Sequence, residues 1–188
     1  SSIVVGRYKS IEIQATATND VTSTIVVDDG KVNDVQFSAD GKSVLVATGV
    51  TGLSGRAVVA DLARKKILKE LAGHNDVVYA AVWSPDESLI ATAGYDRRIL
   101  LHNADSGAVV REMVGHNGAI FDVQFSPDGT LLASASADGT IKVWQVASGE
   151  RLDTLSQPQA EQYSVRFSPD GNTIFGTGAD NRIRKWNV

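Results

Sequence analysis

His116, Ser134 and Asp138 are the residue types of a nucleophile, a base and an orienting carboxylate. His74, Thr92 and Asp96 repeat the set 42 residues earlier, with the histidine 22 residues ahead of the aspartate in both. One such set would suggest acyl transfer through an activated hydroxyl. Repetition argues for a different use. An active site is needed once, whereas a set recurring at a fixed period belongs to the architecture. There, a buried and fully paired His–Asp contact rigidifies a sheet at roughly 0.5–1.5 kcal/mol net per hydrogen bond. His102, the remaining histidine, has no second or third ligand at metal-binding spacing, so it is expected to fill the core.

The other chemical signals are weaker. Gly41-Lys42-Ser43 looks like the end of a phosphate loop, but Gln36 stands where its first glycine belongs. Asp28-Asp29-Gly30 offers too few oxygens at calcium-loop spacing. There is no glycosylation acceptor, no nucleophile elbow and no cysteine, so thiolate and disulfide chemistry are excluded. No catalytic residue, cofactor or metal is predicted. The chain has 188 residues, enough for one domain with a sizeable core, with 43% apolar and 21% charged residues. Its net charge of -4 argues against coating nucleic acid or acidic membranes. The basic clusters Arg64-Lys65-Lys66, Arg97-Arg98 and Arg182-Arg184-Lys185 read as solvated turn and edge residues. No apolar run approaches the roughly 20 residues of a membrane helix, and Ser1 to Arg7 lacks a signal-peptide pattern. Neither a nucleic acid nor a membrane is expected as partner. The expectation is a soluble protein of undetermined compartment, with an intracellular one favoured.

The elements that must position these residues are short strands in a repeat. Phe37, Trp83, Phe125 and Phe167 each end an apolar strand and precede a turn such as Ser126-Pro127-Asp128-Gly129, at spacings of 46, 42 and 42 residues. In one period, Ile120 to Phe125 alternates apolar and polar; Leu131 to Ser136, Ile141 to Val146 and Arg151 to Leu155 follow, separated by glycine-containing turns. Four strands per period, a to d, predict one antiparallel sheet, and no helix is predicted. Three full units are expected, with strand a starting near Val32, Val77 and Ala119. Before them, Ile3–Val5, Ser10–Ala15 and Thr24–Val27 fit strands b, c and d. After them, Gln162–Phe167, Thr173–Thr177 and Ile183–Val188 fit a, b and c.

These residues resemble the WD-repeat β-propellers over essentially the whole chain. Gly73-His74 and Gly115-His116 match the family's Gly-His pair, and Trp144-Gln145, Trp186-Asn187 and Ala60-Asp61 occupy its Trp-Asp position. The resemblance implies an all-β fold of four-stranded antiparallel blades forming an incomplete ring: 1–30 a partial blade, 31–72, 73–115 and 116–157 full blades, 158–188 a partial blade. It also implies a structural hydrogen-bond chain from histidine to Ser/Thr, Asp and Trp. His116, Ser134, Asp138 and Trp144 would fill it, as would His74, Thr92, Asp96 and His102, with His102 replacing the tryptophan. The last unit keeps Asp180 and Trp186 but has Pro158 and Gly176 elsewhere. The first full unit, with Asp28, Val46 and Ala60, would lack it.

Family members usually bind partners on the face carrying the d–a and b–c turns. The resemblance places Lys31 and Glu161 there, and also Tyr95, which precedes a turn aspartate. Asn33, Tyr79, Phe121 and Tyr163 share one register at the start of strand a. Three aromatics of four suit an interface; parity with Val35, Ala81, Val123 and Val165 equally suits the core side of the strand. Four extra residues between Gly49 and Arg56 fall on the same face, where their Gly/Ser/Thr content predicts a mobile loop. A ring of this kind usually has about seven blades, so the arc is expected to be completed by a second copy (a dimer first), by another chain, or by the rest of a longer propeller. Thr24–Val27 of one copy would complete the unit ending at Val188 of the other. The functional expectation is a non-enzymatic scaffold that binds a protein or peptide. The alternatives are a structural or engineered self-assembling unit and, less favoured, a propeller enzyme.

Overall fold

The computed structural model describes residues 2–155 and 160–188. It is built wholly of β-strands, which form four antiparallel sheets. The second sheet comprises β6 (Val78–Trp83), β7 (Leu89–Gly94), β8 (Arg98–Asn103) and β9 (Val109–Val114) in that order. The third repeats it with β10 (Ile120–Phe125), β11 (Leu131–Ser136), β12 (Ile141–Gln145) and β13 (Arg151–Leu155). The fourth has β14 (Gln162–Phe167), β15 (Thr173–Gly178) and β16 (Ile183–Asn187). The all-β blades of an incomplete propeller are thus as the sequence pattern requires. Pro158 lies outside the described residues.

The first sheet differs from expectation. It has five strands in the order β1 (Ser2–Ala15), β2 (Val21–Phe37), β3 (Ser43–Val50), β4 (Ser54–Asp61) and β5 (Lys66–Leu71). Ile3–Val5 and Ser10–Ala15, expected as separate strands b and c, are one continuous strand. The expected junction between residues 30 and 31 falls inside β2, beside the left-handed Asp28 and Gly30. Beyond that kink the hairpin lays Ile11, Ile13, Ile25 and Val27 against Val44, Val46, Val58 and Ala60, all buried. Thr24 and Val26 pair with Glu12 and Ser10 of the same chain, so they are already engaged within it.

Sheets stack through the apolar sides of their strands. Small residues allow the approach: Ala91, Ala93, Ala133 and Ala135 are fully buried between sheets. Neighbouring first strands are also joined by side chains reaching free edge amides. Asp34 accepts from Ala81 N (3.2 Å) and Gln36 from Trp83 N (2.8 Å). Asp122 accepts from Val165 N (3.0 Å) and Gln124 from Phe167 N (2.6 Å). The intervening unit has Ala80 and Val82 at these registers. Sequence reasoning missed these clamps, although their signal was present as the identical runs Asp34-Val35-Gln36-Phe37 and Asp122-Val123-Gln124-Phe125.

The four extra residues extend the β3–β4 hairpin, and their turn is hydrogen-bonded to itself and to the next connection. Leu53 N donates to Val50 O (3.0 Å), and Gly52 N donates to the Asp76 carboxylate (2.7 Å). Gly55 lets this hairpin lie on the next connection: a Cβ there would stand 2.1 Å from the Asp76 carbonyl oxygen.

Candidate functional site

Two levels of organisation meet at the end of the sheets that carries the d–a and b–c turns. Beneath the surface lie the paired networks. His116 Nδ1 donates to Asp138 (2.8 Å), while its Nε2 and the Trp144 Nε1–H both converge on Ser134 Oγ (2.7 and 2.8 Å). The Asn117 amide and both the amide and hydroxyl of Thr140 also donate to Asp138. His74 likewise bridges Asp96 (2.9 Å) and Thr92 Oγ1 (2.9 Å), and Thr92 meets His102 Nε2 at 3.0 Å. His102 Nδ1 faces the Gly107 carbonyl at 3.3 Å. In each set the histidine ties a d–a connection to a b–c turn across 22 residues, which fixes the top of the sheet.

Electrostatics follow from burial. Burial pushes the His116 imidazole below its usual range despite the opposing pull of Asp138. Burial alone would raise the Asp138 carboxyl, but hydrogen bonds from His116, Thr140 and Asn117 outweigh it and hold it well below the ordinary carboxylate range. Asp96 shows the same balance through His74 and the Asn75 and Arg98 amides. The His74 and His116 side chains are fully enclosed, and Ser134 and Thr92 are fully buried. A substrate carbonyl has no path to either hydroxyl, so these sets act on the fold. Among the described residues no cluster of three His, Cys, Asp or Glu side chains could hold a metal ion.

The last unit does not form the network. Asp180 turns to Arg184, with Arg184 Nη1 at 3.1 Å, and Trp186 packs beside the cluster of Val165, Phe167 and Ile174. The reason is local. Gly176 brings no hydroxyl to join the two, and the guanidinium supplies a stronger partner.

Along the four first strands, β2, β6, β10 and β14, runs a groove of about 700 Å³ that reaches from Asn33, Tyr79, Phe121 and Tyr163 to Pro85, Pro127 and Pro169 in the turns that follow these strands. Each strand breaks register at an equivalent place, between Val32 and Asp34, Val78 and Ala80, Ile120 and Asp122, and Gln162 and Ser164, and β2 breaks it again between Gly30 and Lys31. The residue set free is Asn33, Tyr79, Phe121 or Tyr163, and all four line the groove. A bulge re-aims its side chain, so parity with Val35, Ala81, Val123 and Val165 does not hold through this point. The rings form a row: Tyr79 and Phe121 have centroids 5.6 Å apart, as do Phe121 and Tyr163. Such tilted pairs bring large apolar area in a fixed geometry. Tyr163 is 47% exposed and donates to Glu161 (3.1 Å), while Asn33 donates to the Val78 carbonyl (2.9 Å). Below the rings stands Asp34, raised above the usual carboxylate range by burial, with the Asp122 charge adding to it against the Ala81 and Val35 amides. Lys31 is exposed where β2 passes Tyr8, and Tyr95 is exposed at the b–c turn before Asp96.

Stacked four-stranded sheets tied by His–Ser/Thr–Asp–Trp bridges define a WD-repeat propeller. The chain belongs to the family described as WD domain, G-beta repeat, whose profile matches residues 65–103, 107–145 and 149–187. It is similar to coronin-7 of Rattus norvegicus, 39% identical over 69 residues covering 36% of this chain and 7% of that protein. Human coronin-7 is 36% identical over 72 residues, or 38% of this chain and 7% of that one. The human intraflagellar transport protein 122 homolog is 29% identical over 70 residues, 37% of this chain and 5% of that one. The chain thus spans less than a tenth of the length of these relatives.

Proposed function

We propose that this chain is a non-enzymatic scaffold that docks a protein or peptide partner in the groove lined by the four first strands. The row of Tyr79, Phe121 and Tyr163 carries this reading. Four bulges at equivalent positions turn these rings and Asn33 into the groove, a use of bulges common where a side chain must meet a ligand. Aromatic anchors with a polar tip are the usual energetic centre of such interfaces. Glu161, which accepts from the Tyr163 hydroxyl, and the exposed Lys31 and Tyr95 are the proposed polar and aromatic rim. Peptides selected from a random display library on this chain should bind at least tenfold more weakly to Tyr79→Ala and Phe121→Ala. Equal binding to both variants would overturn the reading.

Association with a second copy is its other part, and one observation favours it. Ile183 is 76% exposed at the register where Ile99 and Ile141 are fully buried between sheets. Phe175, at the register of Leu45, Ala91 and Ala133, is also exposed. Solution mass should correspond to two chains and fall to one for Ile183→Asp. A single chain at all concentrations would refute it.

A further inference from the structure

The same clamp is built twice along the groove, and the two copies differ by one charge. Asp34-Val35-Gln36 of β2 holds the amides of Ala81 and Trp83 in β6, and Asp122-Val123-Gln124 of β10 holds those of Val165 and Phe167 in β14. The Asp122 carboxylate has two further partners from β14, the Ser164 hydroxyl (2.6 Å) and the Arg166 guanidinium. Ser164 and Arg166 flank Val165, whose amide is clamped. Ala80 and Val82 flank Ala81, and neither carries a side-chain donor.

Among the described residues, Asp34 therefore accepts from two backbone amides, Val35 N (2.9 Å) and Ala81 N (3.2 Å), and from no side chain. A carboxylate has about four acceptor sites, so half of its capacity is unused. Asp34 is half-buried and lines the groove, as Val82 and Tyr79 do. The Asp122 charge acts on it more strongly than the opposing charge of Arg166. A carboxylate drawn partly out of water without a cation is costly. A cation entering from the groove would offset that cost, in the way Arg166 pairs with Asp122.

We propose that Asp34 is a specificity determinant of the groove, and that it takes the guanidinium of an arginine side chain on the docked peptide. Arg166 is the template for that ligand. At Asp122 the guanidinium comes from the neighbouring strand; at Asp34 it comes from the partner. A guanidinium can give two parallel N–H bonds to one carboxylate, and its flat face stacks on aromatic rings. The proposal rests on the docking reading only in making the arginine part of a peptide.

The test is an amide NMR titration of the full chain with Nα-acetyl-arginine methylamide, with the neutral citrulline analogue as control. The Val35 and Ala81 amides, which donate to Asp34, should shift saturably with the arginine probe and not with the citrulline one. Val82→Arg supplies the missing internal guanidinium and should weaken this binding at least about tenfold. Arg166→Val is the converse. Arg166 is 58% exposed, so its loss spares the core, and the Val165 amide should begin to respond as a second site. If Val82→Arg fails to fold, the wild-type chain and Arg166→Val decide. Equal shifts with both probes, silent Val35 and Ala81 amides, undiminished binding to folded Val82→Arg, or a silent Val165 in Arg166→Val would overturn the proposal. The docking reading is tested separately, by Tyr79→Ala and Phe121→Ala with selected peptides, so either can fail without the other.

Discussion

Asp138→Ala should cost roughly 2–4 kcal/mol of folding free energy, from lost hydrogen bonds to a charged acceptor and a buried donor left unpaired. The carboxylate is only 8% exposed and accepts from His116 Nδ1, the Asn117 amide and both donors of Thr140. Alanine leaves the His116 donor enclosed without an acceptor, and an orphaned buried donor costs its full desolvation. Asp180→Ala is the internal control. It sits at the same repeat position, but its partners are Arg184 and the Arg182 amide at the surface. Its effect should stay within the range of an ordinary surface substitution. Urea denaturation of both variants measures the difference. Equal losses would mean that the His–Asp bridge does not hold the sheet.

Acid should destabilise the fold well above the carboxylate range, and His102 should be the main cause. Burial pushes its imidazole down to about 4, against a weaker opposing pull from the Gly107 carbonyl, whereas the unfolded chain titrates near 6.5. The unfolded state therefore binds this proton first as pH falls. This group's contribution is flat above about pH 7, declines from about 6.5, and is lost in full only below about 4. Linkage gives about 2 kcal/mol at pH 5 and about 3 kcal/mol near pH 4 for this group. His116, also depressed by burial, adds to the same window. Asp96 and Asp138 contribute only below about pH 4, where their carboxyls begin to protonate in the unfolded chain. His102→Gln can keep a hydrogen bond to Thr92 without titrating. It should flatten the profile between pH 7 and 5 by about 2 kcal/mol. An unchanged slope would place the acid sensitivity elsewhere.

Much of this was legible in the sequence because the repeat states each instruction several times. The Phe/Trp-turn period placed the strands of the last three sheets, and the 22-residue His–Asp spacing marked both networks that form. Asp180 and Trp186 matched the pattern, yet Gly176 and Arg184 decide their contacts, and a repeat template does not weigh a competing guanidinium. The aromatic row was visible as a register but not as a direction. Period-two parity assumes an unbroken strand, and the bulges at 33, 79, 121 and 163 break it.

The central claim is that the aromatic row is the docking surface. Amide NMR shifts of the chain, titrated with a peptide selected on it, test this most directly. The expected perturbations centre on Tyr79, Phe121 and Tyr163 and on their neighbours along β6, β10 and β14. Perturbations confined to the outer strands β9 and β13, with the groove unchanged, would contradict it.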